Sequence, residues 1–177
     1  KVVIKTGASA DTITADASTN FGSSITAGAG NDTIIITTAA FTSVDSIAGG
    51  DGTDAINVSN DATIEDADFT LVTGIETLTG NANSTGITAT IEDLAQAAGI
   101  RTITLTDVGA ATDSITIGAD FTAALTINTD DSANFKNNID ATSYVGAGLT
   151  VTAAATAIDA SNTPNTFTGS ANTNDIF

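Results

Sequence analysis

Two stretches rich in glycine and aspartate contain the residues of this chain that are best suited to chemistry. One is AGAGNDTII at residues 27–35, and the other is GGDGTDAIN at residues 49–57, which begins 22 positions later. Glycine tolerates a positive φ, so the backbone can bring carbonyl oxygens close to an ion, and the aspartate two residues past the last glycine adds a charged ligand. These residue types favour a hard cation such as calcium. Ordinary glycine and aspartate turns between strands are the alternative interpretation.

The composition leaves oxygen as the only kind of metal ligand. The 177 residues include no Cys, His, Met or Trp, which argues against zinc, copper and haem and excludes a disulfide framework. Asp and Glu number 21 against 4 Lys and Arg, so the formal net charge is -17. This charge excludes a nucleic-acid binder, which needs a basic stripe, and disfavours anionic membranes and phosphate substrates. Because neighbouring carboxylates disfavour each other's ionised forms, bound cations would help the chain to become compact.

The chain has the composition of an all-β protein without membrane insertion. Hydrophobic residues make up 41% of it, and Thr, which favours a pleated surface, is abundant. No apolar run approaches the ~20 residues that span a bilayer, and the opening KVVIKTGASA lacks the apolar core of a signal peptide. We therefore expect a soluble segment that is a mature or excised piece.

Short blocks with an aliphatic centre recur along the chain. The step is 21 residues from Asp11 to Asp32, 22 to Asp54, 22 to Glu76 and 25 to Arg101. Each unit offers a turn, a strand of three or four residues and a return segment, which together have the size of one coil of a parallel β-solenoid. The sequence therefore predicts an all-β fold, a β-roll or β-helix with coils of about 22 residues.

Alternation within the strands predicts which side chains fill the core. In triplets such as Thr-Ile-Thr, the aliphatic residue faces inward and the hydroxyls face outward. One short helical insertion is expected near 92–98, where helix formers follow acidic residues and precede Gly99. The predicted inward column consists of Ile13, Ile34, Ile56, Leu78 and Ile103.

Two features of the repeat pattern stay open. FTSVDSI at 41–47 also matches FTLVTGI at 69–75 with a step of 28, and we expect the shorter step to exclude this register because more blocks obey it. Beyond residue 105 the period fades. We therefore divide the chain into calcium-binding solenoid repeats at 1–105 and further β-strand repeats at 106–177, which belong to the same or an adjoining β domain.

The two glycine-rich stretches resemble the RTX calcium-binding repeats of secreted bacterial proteins. Residues 49–57 fit the nonapeptide G-G-x-G-x-D-x-U-x at every specified position, and residues 27–35 differ only at Ala27. The resemblance implies that each calcium ion (Ca2+) lies between equivalent turns of successive coils. The candidate ligands of one ion are Gly28, Gly30 and Asp32 in one turn and Gly50, Asp51, Gly52 and Asp54 in the next. A weaker second site would place Gly7, Ser9 and Asp11 against the first of these turns.

The ligand position changes character after Asp54. It is occupied by Glu76 and then by Arg101, and we hypothesise that the metal sites end here and that the guanidinium supplies the positive charge between coils. A solvated Arg101 is the alternative. Other acidic groups, including Asp45 and Asp66, are expected on solvated faces. The cluster NDATIEDAD at 60–68 and the pair Asp130-Asp131 are candidates for weak extra calcium.

The function classes differ in how well they suit these residues. An enzyme is disfavoured, because the chain has no His and its 4 basic residues are scattered. An RTX adhesin or an ice-binding solenoid is an alternative, although Ile35, Ala55 and Asn57 interrupt the outward Thr pairs that would form an ice-binding array.

The preferred interpretation is structural. Residues 68–90, DFTLVTGIETLTGNANSTGITAT, look like the spacer strands beside RTX repeats in bacterial surface-layer proteins and large adhesins. This resemblance implies type I secretion, folding once extracellular calcium is met, and calcium-dependent self-assembly at the cell surface into a layer or filament. The implied partners are other copies of the chain, with cell-surface polysaccharide as a further candidate.

Overall fold

Parallel strands stacked in register build the fold in the computed structural model, which describes residues 3–15, 22–36, 41–59, 62–80, 86–106, 112–129, 136–153 and 166–169. The strands are β1 Val3–Lys5, β2 Thr12–Ala15, β3 Ser24–Ala29, β4 Thr33–Ile36, β5 Ser46–Asp51, β6 Ala55–Val58, β7 Ala62–Ile64, β8 Val72–Thr73, β9 Thr77–Gly80, β10 Ile87–Ile91, β11 Thr102–Leu105, β12 Thr112–Ile117, β13 Leu125–Thr129, β14 Lys136–Asp140, β15 Leu149–Ala153 and β16 Thr166–Thr168. One α-helix, α1, spans Asp93–Ala98, and a 3-10 turn spans Asp66–Phe69. Among the described residues, no helix has the length and hydrophobicity needed to cross a bilayer.

The strands form three parallel sheets, which are the faces of a β-solenoid. Sheet A has the order β1-β3-β5-β8, sheet B has the order β15-β13-β11-β9-β6-β4-β2, and sheet C has the order β16-β14-β12-β10-β7. Neighbours in a sheet come from successive coils, since a parallel pair needs a long return connection. The predicted all-β solenoid is confirmed, with coils of about 24 residues on average.

The register of sheet B reproduces the predicted steps. Thr12, Thr33, Ala55, Thr77 and Thr102 are successive partners, so the coils advance by 21, 22, 22 and 25 residues. The inward column is also confirmed: Ile13 is 5% exposed, and its four predicted successors are fully buried. Burying one such side chain stabilises the fold by about 1.5–3 kcal/mol, so the column is a large part of the core energy.

The coils continue past residue 105, where the sequence period fades. Thr102 pairs with Thr126 and Thr126 with Thr150, two steps of 24 residues. Strands β12, β14 and β16 extend sheet C in the same parallel register. The strands of 106–153 therefore occupy the same sheets B and C as those before residue 105. The pair Asp130-Asp131 lies outside the described residues.

The two registers that conflict in the sequence coexist at different corners of one coil. The rings of Phe41 and Phe69, 28 residues apart, meet edge to face with centroids 5.2 Å apart. Ile47 nevertheless pairs with Val72, a step of 25, and Asp54 is linked to the residue 22 positions on. The expectation that one register excludes the other was wrong. The coil gains residues before Phe69, where β7 and the 3-10 turn lie, and has a shorter connection after it.

The helix predicted near 92–98 is confirmed as α1, which lies beside β8. The Ile75 N–H donates to the Ala98 carbonyl at 3.0 Å. The helix ends at Gly99, whose φ of 118° is left-handed, and a Cβ there would lie 2.9 Å from the Ile75 carbonyl oxygen. Glycine therefore both terminates the helix and permits the close approach of the previous coil.

The amino terminus of α1 is capped by a carboxylate from the previous coil. Asp66 Oδ1 accepts the N–H groups of Glu92 at 2.8 Å and Ala95 at 2.9 Å, and Oδ2 accepts that of Leu94 at 3.1 Å. The first N–H groups of a helix lack partners within it and need an external acceptor. Asp66 is buried, so the expectation of a solvated face was wrong for this residue.

Asp45 is a second carboxylate that was wrongly expected on a solvated face. It is buried, and its Oδ1 accepts the Ser23 N–H of the previous coil at 2.7 Å. Its Oδ2 accepts the Thr42 N–H at 3.0 Å and the Thr42 hydroxyl at 2.8 Å. Both misjudged aspartates therefore serve as acceptors for peptide groups that the turns leave without a strand partner.

Replacing Asp66 with Ala should destabilise the folded protein by about 2 kcal/mol, because it removes a helix cap and leaves N–H groups without an acceptor. Urea unfolding in calcium measures the effect. The matched control is Asp93→Ala, which removes the same charge from an exposed position on the same helix turn. Equal unfolding midpoints for the two variants would contradict the capping role.

Candidate metal centre

The two turns predicted to hold calcium stack directly on each other, with Gly28 opposite Gly50 in the pairing of β3 with β5. Gly28, Gly30, Gly50 and Gly52 have φ values of 116°, 129°, 115° and 140°. A Cβ on Gly50 would lie 1.9 Å from the Gly28 carbonyl oxygen, and one on Gly52 would lie 1.9 Å from that of Gly30. The carbonyl oxygens of one turn therefore approach the next turn more closely than any side chain would allow.

The turn at residues 7–11 stacks on the other side of the first turn. The Ala29 N–H donates to the Gly7 carbonyl at 3.0 Å, and a Cβ on Gly30 would lie 2.6 Å from the Ser9 carbonyl carbon. The carboxylate of Asp11 differs from those of the later turns: it is only half-buried, and its Oδ2 accepts the Gly7 N–H of its own turn at 3.3 Å.

The acidic residues at the ligand position form a continuous chain of contacts between coils. Asp32 Oδ1 accepts the Asp11 N–H at 2.8 Å, and Asp54 Oδ1 accepts the Asp32 N–H at 2.7 Å. Glu76 Oε2 accepts the Asp54 N–H at 2.8 Å. These four residues, here called the carboxylate column, thus share one geometry in which each carboxylate binds the peptide N–H of the preceding coil.

Two oxygens of the carboxylate column are buried without a partner. Asp32 is 1% exposed and Asp54 is 0% exposed, and the Oδ2 of each accepts no hydrogen bond. A Cβ on Gly49 would lie 2.5 Å from Asp54 Oδ2 and 1.9 Å from the Gly74 carbonyl oxygen, so these two oxygens border the space that Gly49 leaves open. Unsatisfied buried carboxylate oxygens are costly. Carboxylate and carbonyl oxygens side by side fit a calcium ion.

The electrostatics of Asp54 favour a positive charge at this place. Burial raises the pKa of its carboxyl, and the negative charges of Asp32 and Glu76 raise this pKa further, against the lowering effect of the Asp32 N–H. The ionised form of Asp54 is therefore disfavoured in the folded protein without a cation. A proton or a bound metal ion would each relieve this cost.

Not every predicted ligand joins the column. The side chains of Ser9 and Asp51 are exposed. Asp51 contributes through its backbone instead, since its carbonyl accepts the Gly30 N–H of the previous coil at 2.8 Å. Among the predicted acidic residues, the structure therefore brings Asp32 and Asp54 together as buried groups, and places Asp11 at the edge and Asp51 outside.

Two residues of the site were missed or misjudged in the sequence. Glu76, which was expected to mark the end of the metal sites, repeats the contact made by the aspartates before it. Asn31 occupies a free position of the nonapeptide, and its Oδ1 accepts the Thr53 N–H of the next coil at 3.0 Å. The 22-residue step alone could have found both, because it places each opposite a turn of the neighbouring coil.

Arg101 follows Glu76 in register but does not extend the carboxylate column. It is exposed, and within the described ranges its Nη1 donates to the backbone carbonyls of Gln96 at 3.2 Å and Ile100 at 2.5 Å rather than to a carboxylate. This geometry favours the solvated alternative over a salt bridge between coils.

The second acidic candidate, the cluster at 60–68, uses its described carboxylates inside the fold. Asp66 caps α1, and Asp68 Oδ2 accepts the Glu65 N–H at 3.0 Å. Burial, with smaller effects of the Glu65 and Asp45 charges, raises the pKa of Asp68. In the described part of this cluster, no buried carboxylate oxygen lacks a partner, in contrast to the carboxylate column.

Metal coordination by acidic side chains alone is not available in the described parts of the chain, where no group of three or more Asp, Glu, His or Cys side chains could hold an ion. A calcium site in the carboxylate column must therefore combine one or two carboxylates with backbone carbonyls. The chain matches no protein-family model, no curated protein and no solved structure. The RTX resemblance therefore rests on the motif residues themselves and stays a prediction.

In calcium-free solution at neutral pH, Asp54→Asn should be more stable than the wild type. The amide can keep the contact to the Asp32 N–H and removes a charge that the fold disfavours. Because the pKa of Asp54 is raised in the folded protein, the wild type regains this stability as pH falls toward the ordinary value of 3.8 and loses it as pH rises. Urea midpoints in EGTA across this pH range measure the difference, and a gap that widens on acidification would contradict the assignment.

In calcium at neutral pH the order should reverse. With free calcium a hundredfold above its dissociation constant, binding stabilises the wild type by about 2.7 kcal/mol, and Asp54→Asn should lose most of this gain. The control Asp51→Asn removes one charge from the exposed position of the same turn and should keep the gain. If the ranking of the three proteins were the same in calcium and in EGTA, Asp54 would have only a structural role.

Proposed function

We propose that this chain is a structural, self-assembling extracellular surface protein, a subunit of a layer or filament that calcium folds and assembles. The observation that carries the proposal is the carboxylate column, in which buried Asp32 and Asp54 each keep one oxygen without a donor inside stacked glycine turns. The residues fit a calcium ion held by carboxylate and carbonyl oxygens between coils. The proposed ion replaces a repulsion between coils by an attraction.

Calcium binding would also control when the chain folds. At a net charge of -17 the metal-free chain repels itself, and the like charges of the carboxylate column meet only when the coils stack. A site that exists only between coils binds the folded state alone, so its binding free energy becomes folding free energy. Such a chain stays unfolded where calcium is scarce and folds after export.

A scaffolding role, rather than catalysis, suits the way the acidic residues are used. Asp45, Asp66 and the carboxylate column spend their oxygens on peptide N–H groups of neighbouring coils. General acid–base chemistry needs such groups near a substrate, where they can exchange protons. The three sheets of a solenoid instead offer long regular faces for contact with further copies.

The proposal is tested by circular dichroism with EGTA and with millimolar calcium, followed by electron microscopy of the calcium form. We expect calcium to produce or strongly increase the β signal and regular assemblies to appear on the grid. Magnesium at the same concentration is the control for ionic strength. A β signal that does not respond to calcium would refute calcium-driven folding, and a calcium form that stays monomeric would refute self-assembly.

A further inference from the structure

The outward face of sheet B carries two straight columns of side chains that the strand register aligns across seven coils. The first column consists of Thr12, Thr33, Ala55, Thr77, Thr102, Thr126 and Thr150. The second column consists of Thr14, Ile35, Asn57, Thr79, Thr104, Asn128 and Thr152. All fourteen are partly or fully exposed. The coils after residue 105 restore the Thr pattern that the middle of the face interrupts.

This face, here called the Thr face, carries no charged side chain although the chain has a net charge of -17. The other two sheets differ: sheet A presents exposed Lys5 and Asp51, and sheet C includes Asp140. Charges appear beside the Thr face only at its border, where exposed Arg101 directly precedes β11. An uncharged centre with a charged border is the usual anatomy of a protein contact surface.

We infer that the Thr face is the surface through which two copies of this chain join, an inference that rests on the proposed self-assembly. Two copies this acidic can meet at the Thr face without placing carboxylates opposite each other. Like-charged partners elsewhere on the surface would repel.

The periodicity of the Thr face matches that of a second copy. Its columns repeat at the strand spacing of about 4.8 Å and lie about 6.7 Å apart, the distance between alternate residues of a strand. Another copy has the same two spacings by construction, so methyl and hydroxyl groups can interleave along the whole length. Thr pairs gain both apolar contact and hydrogen bonds when they face each other. The face has no aromatic side chain, the group that would stack on a sugar ring.

The size of the Thr face suits a contact inside an assembly better than an isolated dimer. Seven strands with four residues each cover roughly 450 Å² per copy by strand spacing and rise, so two copies bury roughly 900 Å². Stable complexes usually bury about 1,600 Å². A contact of this size is weak by itself and becomes effective when many copies are held in one array.

The absence of Cys permits an unambiguous crosslinking test. Thr79→Cys and Thr104→Cys place single thiols in the second column of the Thr face, and Thr116→Cys places one at an exposed position of sheet C as the matched control. With calcium and a short bis-maleimide at micromolar protein, we expect covalent dimers of the Thr-face variants to form on the order of a hundredfold faster than those of the control, because a contact raises the local thiol concentration to millimolar. EGTA should abolish the difference.

The outcomes separate this inference from the proposed function. If calcium-loaded wild type assembles but the control crosslinks as fast as the Thr-face variants, the Thr face is not the contact, and the assembly proposal stands. If the wild type stays monomeric, the assembly proposal falls first. Wild-type protein that shapes ice crystals, with loss of this activity in Thr104→Lys and not in Thr116→Lys, would assign the face to ordered water and overturn the inference.

Discussion

A carboxylate oxygen that accepts the peptide N–H of the preceding coil is the contact on which the rest of this solenoid depends. Asp32 and Asp54 make it at the turns between sheets A and B, where the strand ladder is interrupted and peptide groups would otherwise lack partners. The contact fixes the register of each coil and draws the carboxylates into one buried column. It also creates a conflict, because the remaining oxygens are buried with like charges as neighbours. Calcium between the turns is the proposed resolution.

The same physical role explains why so acidic a chain can fold. Asp45 and Asp66 are buried acceptors at other corners, and Asp66 holds the start of α1 from the previous coil. Their charge is compensated by oriented N–H dipoles, which lower the cost of burying an anion. In the carboxylate column, dipoles alone leave half of each buried carboxylate unsatisfied. This difference separates structural carboxylates from candidate ligands.

The sequence predicted those parts of the structure that repeat. The steps between acidic residues gave the sheet B register, and alternation gave the buried column from Ile13 to Ile103, because both follow from a strict period. The glycine motif predicted the stacked turns, although exposed Asp51 shows that composition does not fix where a side chain points. The Phe41–Phe69 contact and the Asp66 cap were not predictable, since each joins segments whose spacing departs from the period. The coils after residue 105 were missed because their turns lack the glycine signature.

The central claim is that a calcium ion lies between the turns of Asp32 and Asp54. A crystal structure grown with calcium, with an anomalous difference map recorded at long wavelength, tests it most directly. The account predicts an anomalous peak within coordination distance of Asp32 Oδ2 or Asp54 Oδ2 and of glycine carbonyl oxygens in the stacked turns. A map without such a peak, in which both oxygens still lack a partner or bind only water, would contradict it.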